Sequence, residues 1–490
     1  ARAVRAAVVS DLKARIEAGR TAIAAAVTDR PLASREASRA YAYLTDCVVG
    51  AVFDAATRLH PKPNPTRAER LSVLAVGGYG RGEMAPFSDV DLLFLVPWKT
   101  TAWAESLVET MLYILWDLHL KVGHATRSVR DCIRLGREDY TIRTALLESR
   151  YLTGDAALSD KLDARLWSDL FRSTGPEYVE AKLAERTDRH KKQGGQRYVV
   201  EPNVKEGKGG LRDLQTLYWI AKYVNRADSP AELVEQGVFT ADEYAAFDRA
   251  ETFLMAVRNH LHLIAGRAMD QLTFDMQVEV AERLGYRDHG GRRAVEHFMQ
   301  DYFRHATTVG EVTRILLTAL EADHAKREPG LVRFLKRKRK VKEGYEIRQG
   351  RITYADETAF LSDKLNILRI FEEALRTGYL LHPDAMRTIA AHLDLIDEDL
   401  RKMPEAQCIF LDLLLKHGQL PQIFLCRSCS EIQIFVPTAV VEETFLRIAA
   451  KELLGNLRVA VRIVALDQVH FLQQPDQWAV LAHRGRQIVG

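Results

Sequence analysis

Val73-Leu-Ala-Val-Gly-Gly-Tyr-Gly-Arg-Gly-Glu-Met-Ala-Pro-Phe-Ser-Asp-Val-Asp-Leu-Leu-Phe-Leu-Val96 decides how the chain is read. Val73 to Val76 are apolar and β-prone, which predicts a buried strand. Gly77, Gly78, Gly80 and Gly82 let the backbone turn sharply and approach a ligand closely, because no Cβ intervenes. Exposed N–H groups in such a turn, at the start of a short helix, suit a phosphate. Pro86 and Ser88 mark a break, with Ser88 placed to cap the turn or touch phosphate. Val90 to Val96 form a second strand. Asp89 and Asp91 stand two apart, so both side chains point to one face of it. Adjacent carboxylates repel unless a cation sits between them. Charge on so apolar a strand is costly without a partner. Mg²⁺ bridging carboxylates to phosphates is the natural occupant, with Mn²⁺ as a substitute. Each half alone has a plain reading, a turn without chemistry and a solvated strand end. Their conjunction favours a metal–phosphate site.

The 490 residues correspond to two to four domains at about 100–200 residues each. A net charge of +3 implies no global field for nucleic acid or membrane. No apolar stretch is long and uncharged enough to predict a membrane span; Met111 to Leu120 is interrupted by Asp117. The start, Ala-Arg-Ala-Val-Arg, lacks the apolar core and cleavage site of a signal peptide. It also lacks an initiator Met, so a trimmed chain is expected. The 5 cysteines are scattered, which favours a reducing, cytoplasmic setting. Cys426 and Cys429 form the one close pair, and without a second pair they make a weak case for zinc.

Residues 1–65 read as a helical segment packed on the catalytic domain, with Val8, Leu12, Ile16, Tyr41, Leu44, Val48 and Val52 at helical spacing. Residues 66–155 hold the opening motif. After it come an amphipathic helix at Thr101–Leu120, a short strand within Lys121–Val129, a helix at Asp131–Arg137, and a helix–strand passage at Thr141–Tyr151. Residues 156–330 read as almost wholly helical. They are interrupted by Arg197-Tyr-Val-Val-Glu-Pro-Asn-Val-Lys-Glu-Gly-Lys-Gly-Gly-Leu-Arg-Asp213, after which a helix starts at Leu211. Lys205, Lys208 and Arg212 on that loop are well placed for phosphate. His260 and His262 lie two apart on a helix and face different directions, so core or capping roles are expected rather than a metal pair. Arg258 and Arg267 are further candidates for phosphate. Lys336-Arg-Lys-Arg-Lys340 reads as a solvated basic run, and Tyr345–Ala355 as a hairpin. Residues 331–415 form a linker and helical segment. The tail, 416–490, alternates like short strands at Ile432–Val436 and Leu457–Leu466 and is left unassigned.

The opening stretch resembles the signature of the nucleotidyltransferase superfamily that includes DNA polymerase β. Its wording, Gly-Gly-Tyr-Gly-Arg-Gly-Glu followed by Ser-Asp-Val-Asp-Leu-Leu-Phe, is similar to that of the PII uridylyltransferase family. Asn203 to Asp213 and Arg258 to Gln277 resemble the same family, in the same order. The resemblance implies an α+β chain: a polymerase-β-like domain with a small mixed sheet, a large all-helical domain, and a short α/β tail. It implies transfer of UMP from UTP to a tyrosine of the PII signalling protein, with Mg²⁺ as cofactor and glutamine as an effector in the full family. Asp89 and Asp91 become the metal ligands. Glu148 is the candidate third catalytic carboxylate, with Asp139 as the other. Gly77, Gly78, Arg81, Ser88, Lys205, Lys208 and Arg212 become the nucleotide-binding set.

In the family a His-Asp hydrolase and two sensing domains follow. No His-Asp dipeptide occurs in this chain, and the match stops near residue 415. A fragment, a frameshifted end or a short replacement domain would all look like this, and uridylyl removal is expected to be missing. The alternatives are adenylyl or RNA nucleotidyl transfer by the same superfamily, a non-catalytic PII-binding regulator, and RNA binding through Lys336–Lys340.

Overall fold

Four short strands carry the opening motif. The computed structural model describes residues 2–62, 66–195, 197–227, 232–324, 341–348 and 350–416, with two further strands at Gln433–Pro437 and Arg462–Leu466. The strands β1 (Ser72–Ala75), β2 (Val90–Val96), β3 (Val122–Ser128) and β4 (Arg150–Gly154) form one sheet in the order β3-β2-β1-β4. It is mixed: β1 pairs antiparallel with β2 and β4, while β2 pairs parallel with β3, Asp91 beside Gly123.

The sheet has two different faces. Leu92, Phe94 and Val96 of β2 pack with Val73 and Ala75 against α1 (Arg2–Asp29), α2 (Ser34–Leu59) and α4 (Ala102–Asp117). The two N-terminal helices therefore cover one face of this sheet. The turn between β1 and β2 is the short α3 (Gly77–Gly80). α4 begins where Thr101 accepts the N–H of Ala104 at 3.2 Å, an ordinary N-cap.

Leu74, Leu93 and Leu95 enter the other core, which is helical. It contains α5 (Val129–Glu138), α6 (Tyr140–Leu147), α7 (Ala156–Leu166), α8 (Gly175–Lys192) and α9 (Leu211–Asn225). It continues through α10 (Glu232–Glu235), α11 (Ala241–Ala265), α12 (Phe274–Arg283) and α13 (Ala294–His324). α9 starts at Leu211 as its spacing predicts and buries Leu211, Leu214 and Leu217. His260 and His262 are both buried on α11.

The chain divides into two units, 1–328 and 329–490. In the second, Tyr345–Arg348 and Arg351–Tyr354 form the expected antiparallel hairpin. Helices Asn366–Thr377, Pro383–Ala391 and Pro404–Lys416 bury Ile367, Ile370, Ile389 and Leu413 in a separate core. Gln433–Pro437 and Arg462–Leu466 pair in parallel. The Lys336–Lys340 run and the Cys426–Cys429 pair lie outside the described residues. Among the described residues no helix is long and apolar enough to cross a membrane.

Phe94 is fully buried at the centre of the sheet. Phe94→Ala is expected to destabilise the first unit by about 3–5 kcal/mol, the transfer and cavity cost of losing a core ring. A denaturant titration followed by tryptophan fluorescence measures it.

Candidate active site

Strand alternation decides where the acid points. Asp91 is in phase with Leu93 and Leu95, so its carboxylate faces the helical side of the sheet. Asp89 immediately precedes β2 and sits in the turn rather than on the strand. It stays close enough for its charge to act on Asp91. Burial first, then that charge, pushes the Asp91 carboxyl above its ordinary range, while Lys205 pulls it back. Among the described residues neither carboxylate has a hydrogen-bond or ion-pair partner. Gly123 leaves the space that Asp91 occupies: a Cβ there would stand 2.3 Å from Asp91 Oδ1.

The glycine turn adjoins this pair. Gly77 has φ +60°, a conformation that L side chains rarely adopt, and a Cβ on it would lie 3.5 Å from Asp91 Oδ2. The N–H groups of Gly77, Gly78 and Tyr79 find no carbonyl among the described residues, as expected of a first helical turn. Ser88 caps the next turn: its Oγ accepts the Ala85 N–H at 3.0 Å, and its own N–H goes to the Ala85 carbonyl at 3.0 Å.

Two arginines hold the glycine turn in place. Arg150 donates to the carbonyls of Tyr79 and Gly80, each at 3.2 Å, and grips both oxygens of Asp46 on α2 at 2.8 and 3.0 Å. Arg81 is ion-paired with Glu148, whose Oε1 also accepts the Trp219 indole N–H at 2.5 Å. Glu148 is only 4% exposed. The structure thus commits the expected third carboxylate to Arg81 and Trp219 and does not present it with the aspartates. Asp139, the other candidate, caps α6. β3, the strand beside β2, carries no carboxylate at all. Asp89 and Asp91 remain as two acids, the charge of the first acting on the second.

The helical domain supplies the positive charge. Asn203 Oδ1 accepts the N–H groups of Lys205 and Glu206 at 3.1 and 2.7 Å. The loop is stapled to 270–272 by Val204 N–H to the Asp270 carbonyl, 2.8 Å, and Leu272 N–H to the Pro202 carbonyl, 2.9 Å. Its far end hangs on Asp213, which is wholly buried. Asp213 accepts from Gly209 N–H at 2.9 Å, His190 Nε2 at 2.9 Å, Arg186 at 3.1 Å, and Arg189. Burial opposes its ionisation, but the His190 hydrogen bond and the arginine charges outweigh that and hold the carboxyl well below its usual range.

Of the three basic residues expected on the loop, Lys205 stands near enough for its charge to act on Asp91, while its ammonium lies 4.0 Å from Glu206 Oε1. Burial, then the charges of Arg258 and Arg212, push its ammonium below the ordinary value. Arg212 pairs with Glu206 at 3.1 Å and lies 5.3 Å over the Trp219 ring. Lys208 donates to the Gly195 carbonyl at 3.4 Å.

Sequence reasoning left His262 as a core or capping residue and did not single out Asp270. His262 Nδ1 accepts the N–H of Phe87 at 3.3 Å, two residues before Asp89, and its Nε2 lies 3.4 Å from Asp270 Oδ1. Arg258 Nε donates to that same oxygen at 2.7 Å. The turn bearing Asp89 is therefore tied to the Lys205–Arg258 cations. No local pattern signals such a contact.

Residues 64–152 match the nucleotidyltransferase domain family, 177–317 the GlnD PII-uridylyltransferase family, and 345–425 the uridylyltransferase GlnD third domain. A bifunctional uridylyltransferase/uridylyl-removing enzyme of Cereibacter sphaeroides is 62% identical over 419 residues, 85% of this chain. One of Ruegeria pomeroyi is 63% identical over 438 residues, 89% of this chain. These alignments take in 45% and 48% of the two relatives, so the chain spans about half the length of the curated relatives it matches.

Asp213 makes acid stability testable. Its folded-state value is depressed, so its contribution is present above the unfolded value of about 3.9 and is lost as pH falls through lower values. The wild-type chain is expected to lose stability from about pH 5 downward. Asp213→Asn is expected to be less stable at pH 7, by about 3–5 kcal/mol for a broken buried pair, and to show a shallower acid limb. Denaturant midpoints between pH 3 and 7 measure both.

Proposed function

We propose, from the premise that the chain belongs to the PII-uridylyltransferase family over its matched residues, that it transfers UMP from UTP to a tyrosine hydroxyl of a PII signalling protein. The observation that carries this is one juxtaposition. Gly77, which with Gly78 keeps an unclaimed N–H, lies against the unpaired Asp91 carboxylate, and the charges of Asp89 and of Lys205 from the helical domain both act on it.

Two repelling carboxylates are hard oxygen donors, and they fit Mg²⁺, or Mn²⁺ in its place. Asp89 and Asp91 would hold such an ion, which when bound would supply neutralisation of phosphate charge and a lowered pKa of the acceptor hydroxyl. The chain's own groups do the rest. The Gly77 and Gly78 N–H groups donate to phosphate oxygens. Lys205 and Arg258 offset the charge of the departing diphosphate, while Lys208 and Arg212 fix the loop that carries Lys205. Arg81, held by Glu148, and Ser88, capping its turn, keep the two flanks of the site in register. The acceptor oxygen bonds to the α-phosphorus as the bond from that phosphorus to the α–β bridging oxygen breaks. Diphosphate leaves with that electron pair, and the hydroxyl proton passes to solvent. Positioning and electrostatics supply most of the acceleration. We place the enzyme in the cytoplasm.

Asp89→Asn and Asp91→Asn are each expected to lower transfer by about 100-fold or more while the folded chain persists. Radiolabelled UTP with Mg²⁺ and PII reads the transfer, and circular dichroism reads the fold. Near-wild-type transfer by either variant would refute the assignment. The same assay run with labelled ATP, and with RNA or glutamine synthetase as acceptor, separates adenylyl and RNA nucleotidyl transfer. Lys205→Ala is expected to raise the KM for UTP about tenfold, the loss of roughly 1.4 kcal/mol of charge-assisted contact.

A further inference from the structure

β3 is an edge strand, and it runs directly beside the strand of Asp91. Its hydrogen-bond phase follows from two facts. Val90 pairs with Val122, and the Val90 N–H goes to the Lys121 carbonyl at 2.8 Å. In a parallel ladder this turns Lys121, Gly123, Ala125 and Arg127 toward β2. Val122, His124 and Thr126 then aim both backbone groups away from the sheet. Among the described residues nothing takes those N–H and C=O groups. Gly123 and His124 are exposed.

Edges this open are usually blunted by proline, a bulge or a cover. Here β3 keeps regular register from Val122 to Ser128 and contains no proline. An extended peptide added to it would gain a ladder of main-chain hydrogen bonds, the recognised mode of strand addition.

The position of Gly123 gives that ladder a purpose. An added strand would lie about 4.8 Å beyond β3, and so ~10 Å from β2. Between it and β2 stands Gly123, and the Asp91 carboxylate reaches out over it into the space a side chain would take, 2.3 Å from where a Cβ would stand. A serine or threonine on the added strand is too short to reach across β3 to that carboxylate. A tyrosine is long enough to bring its hydroxyl toward the aspartates. Lys121, Arg127 and Arg130 border the two ends of β3 and favour a segment with acidic flanks. Trp116, 44% exposed and set edge-on to His124 with ring centroids 6.2 Å apart, offers an aromatic rim.

We propose that the acceptor protein docks by adding an extended, tyrosine-bearing segment to the outer edge of β3, so that the tyrosine crosses Gly123 to reach Asp91. The proposal rests on the transferase function above and adds how the acceptor is held and why a tyrosine is used.

The test uses the full chain, PII, and a UTP analogue with a methylene between the α and β phosphorus atoms, which binds without transfer. Hydrogen–deuterium exchange of the peptide spanning 121–128 is expected to slow at least tenfold when PII joins the chain and analogue, and not when the analogue is added alone. His124→Pro removes an outward N–H and leaves the β2 ladder its full set of bonds. It is expected to raise the KM for PII at least tenfold with UTP binding and melting temperature unchanged. Normal transfer by wild type with no added protection at 121–128 would overturn the docking mode and leave the function standing. Wild type that fails to label PII would refute the function, and the docking with it. If His124→Pro does not fold, the exchange result on wild type decides alone.

Discussion

A carboxylate at the mouth of a doubly covered strand is the constraint around which the first unit is arranged. β2 buries leucine on one face and leucine and phenylalanine on the other, which fixes its register by the simplest means available. That register has one consequence for charge: Asp91 must face the helical side, partly out of water and next to Asp89. The strand cannot slip without carrying a leucine into the acid's place. So the hydrophobic pattern that holds the sheet also aims the acid. The geometry at Gly77 and Gly123 follows from this, since each lies against an oxygen of that carboxylate where a side chain would crowd it.

The turns and the loop around Asp91 are tethered by buried and half-buried charge rather than by apolar contact. Arg81 hangs on Glu148, Arg150 on Asp46, the Lys205 loop on Asp213, and the turn of Asp89 on His262 and Asp270. Buried ion pairs are poor sources of net stability, because desolvation offsets most of the attraction. They are directional, however, and a turn of glycines has no side chains with which to pack. Trp219 shows the economy of the arrangement. It belongs to α9, which begins at the end of the Lys205 loop, and its indole N–H reaches Glu148 while its ring lies under Arg212. One side chain therefore links the loop bringing the cation to the residue holding the glycine turn.

Much of this was legible in the sequence, for a reason tied to range. The strand–glycine–strand passage, the capped helix after it, the start of α9 at Leu211 and the hairpin at Tyr345–Tyr354 are all set by local pattern, and the structure follows them. The role of Glu148 was not legible. Its neighbours in sequence are apolar and suggest only burial; its partners, Arg81 and Trp219, stand 67 and 71 residues away. His262 was read rightly as buried, yet its contact with Phe87 spans 175 residues, and no periodicity carries such information. Lys205, Lys208 and Arg212 looked equivalent on one loop. What separates them is the fold of that loop: the Asn203 turn and the Asp270 staple direct the first toward the acids, while Glu206 and Gly195 hold the others.

The result is a site whose two halves belong to different cores. The sheet contributes the acids and the open N–H groups of the glycine turn; the helical domain contributes Lys205 and Arg258. Neither half is electrostatically complete. Asp89 and Asp91 repel each other without positive charge nearby, and Lys205 is pushed toward losing its proton by burial and by Arg258. Brought together they relieve one another in part, and a polyanion bound with a divalent cation would relieve both in full. The Asp270 carboxylate, shared between Arg258 and His262, ties the two halves through the turn that delivers Asp89. A chain that holds Asp91, Lys205 and Arg258 half-buried at the edge of its cores, with Asp89 exposed beside them, gains little stability from doing so. It gains a place where charge is already partly desolvated and oriented, the condition under which electrostatics act most strongly on a reaction.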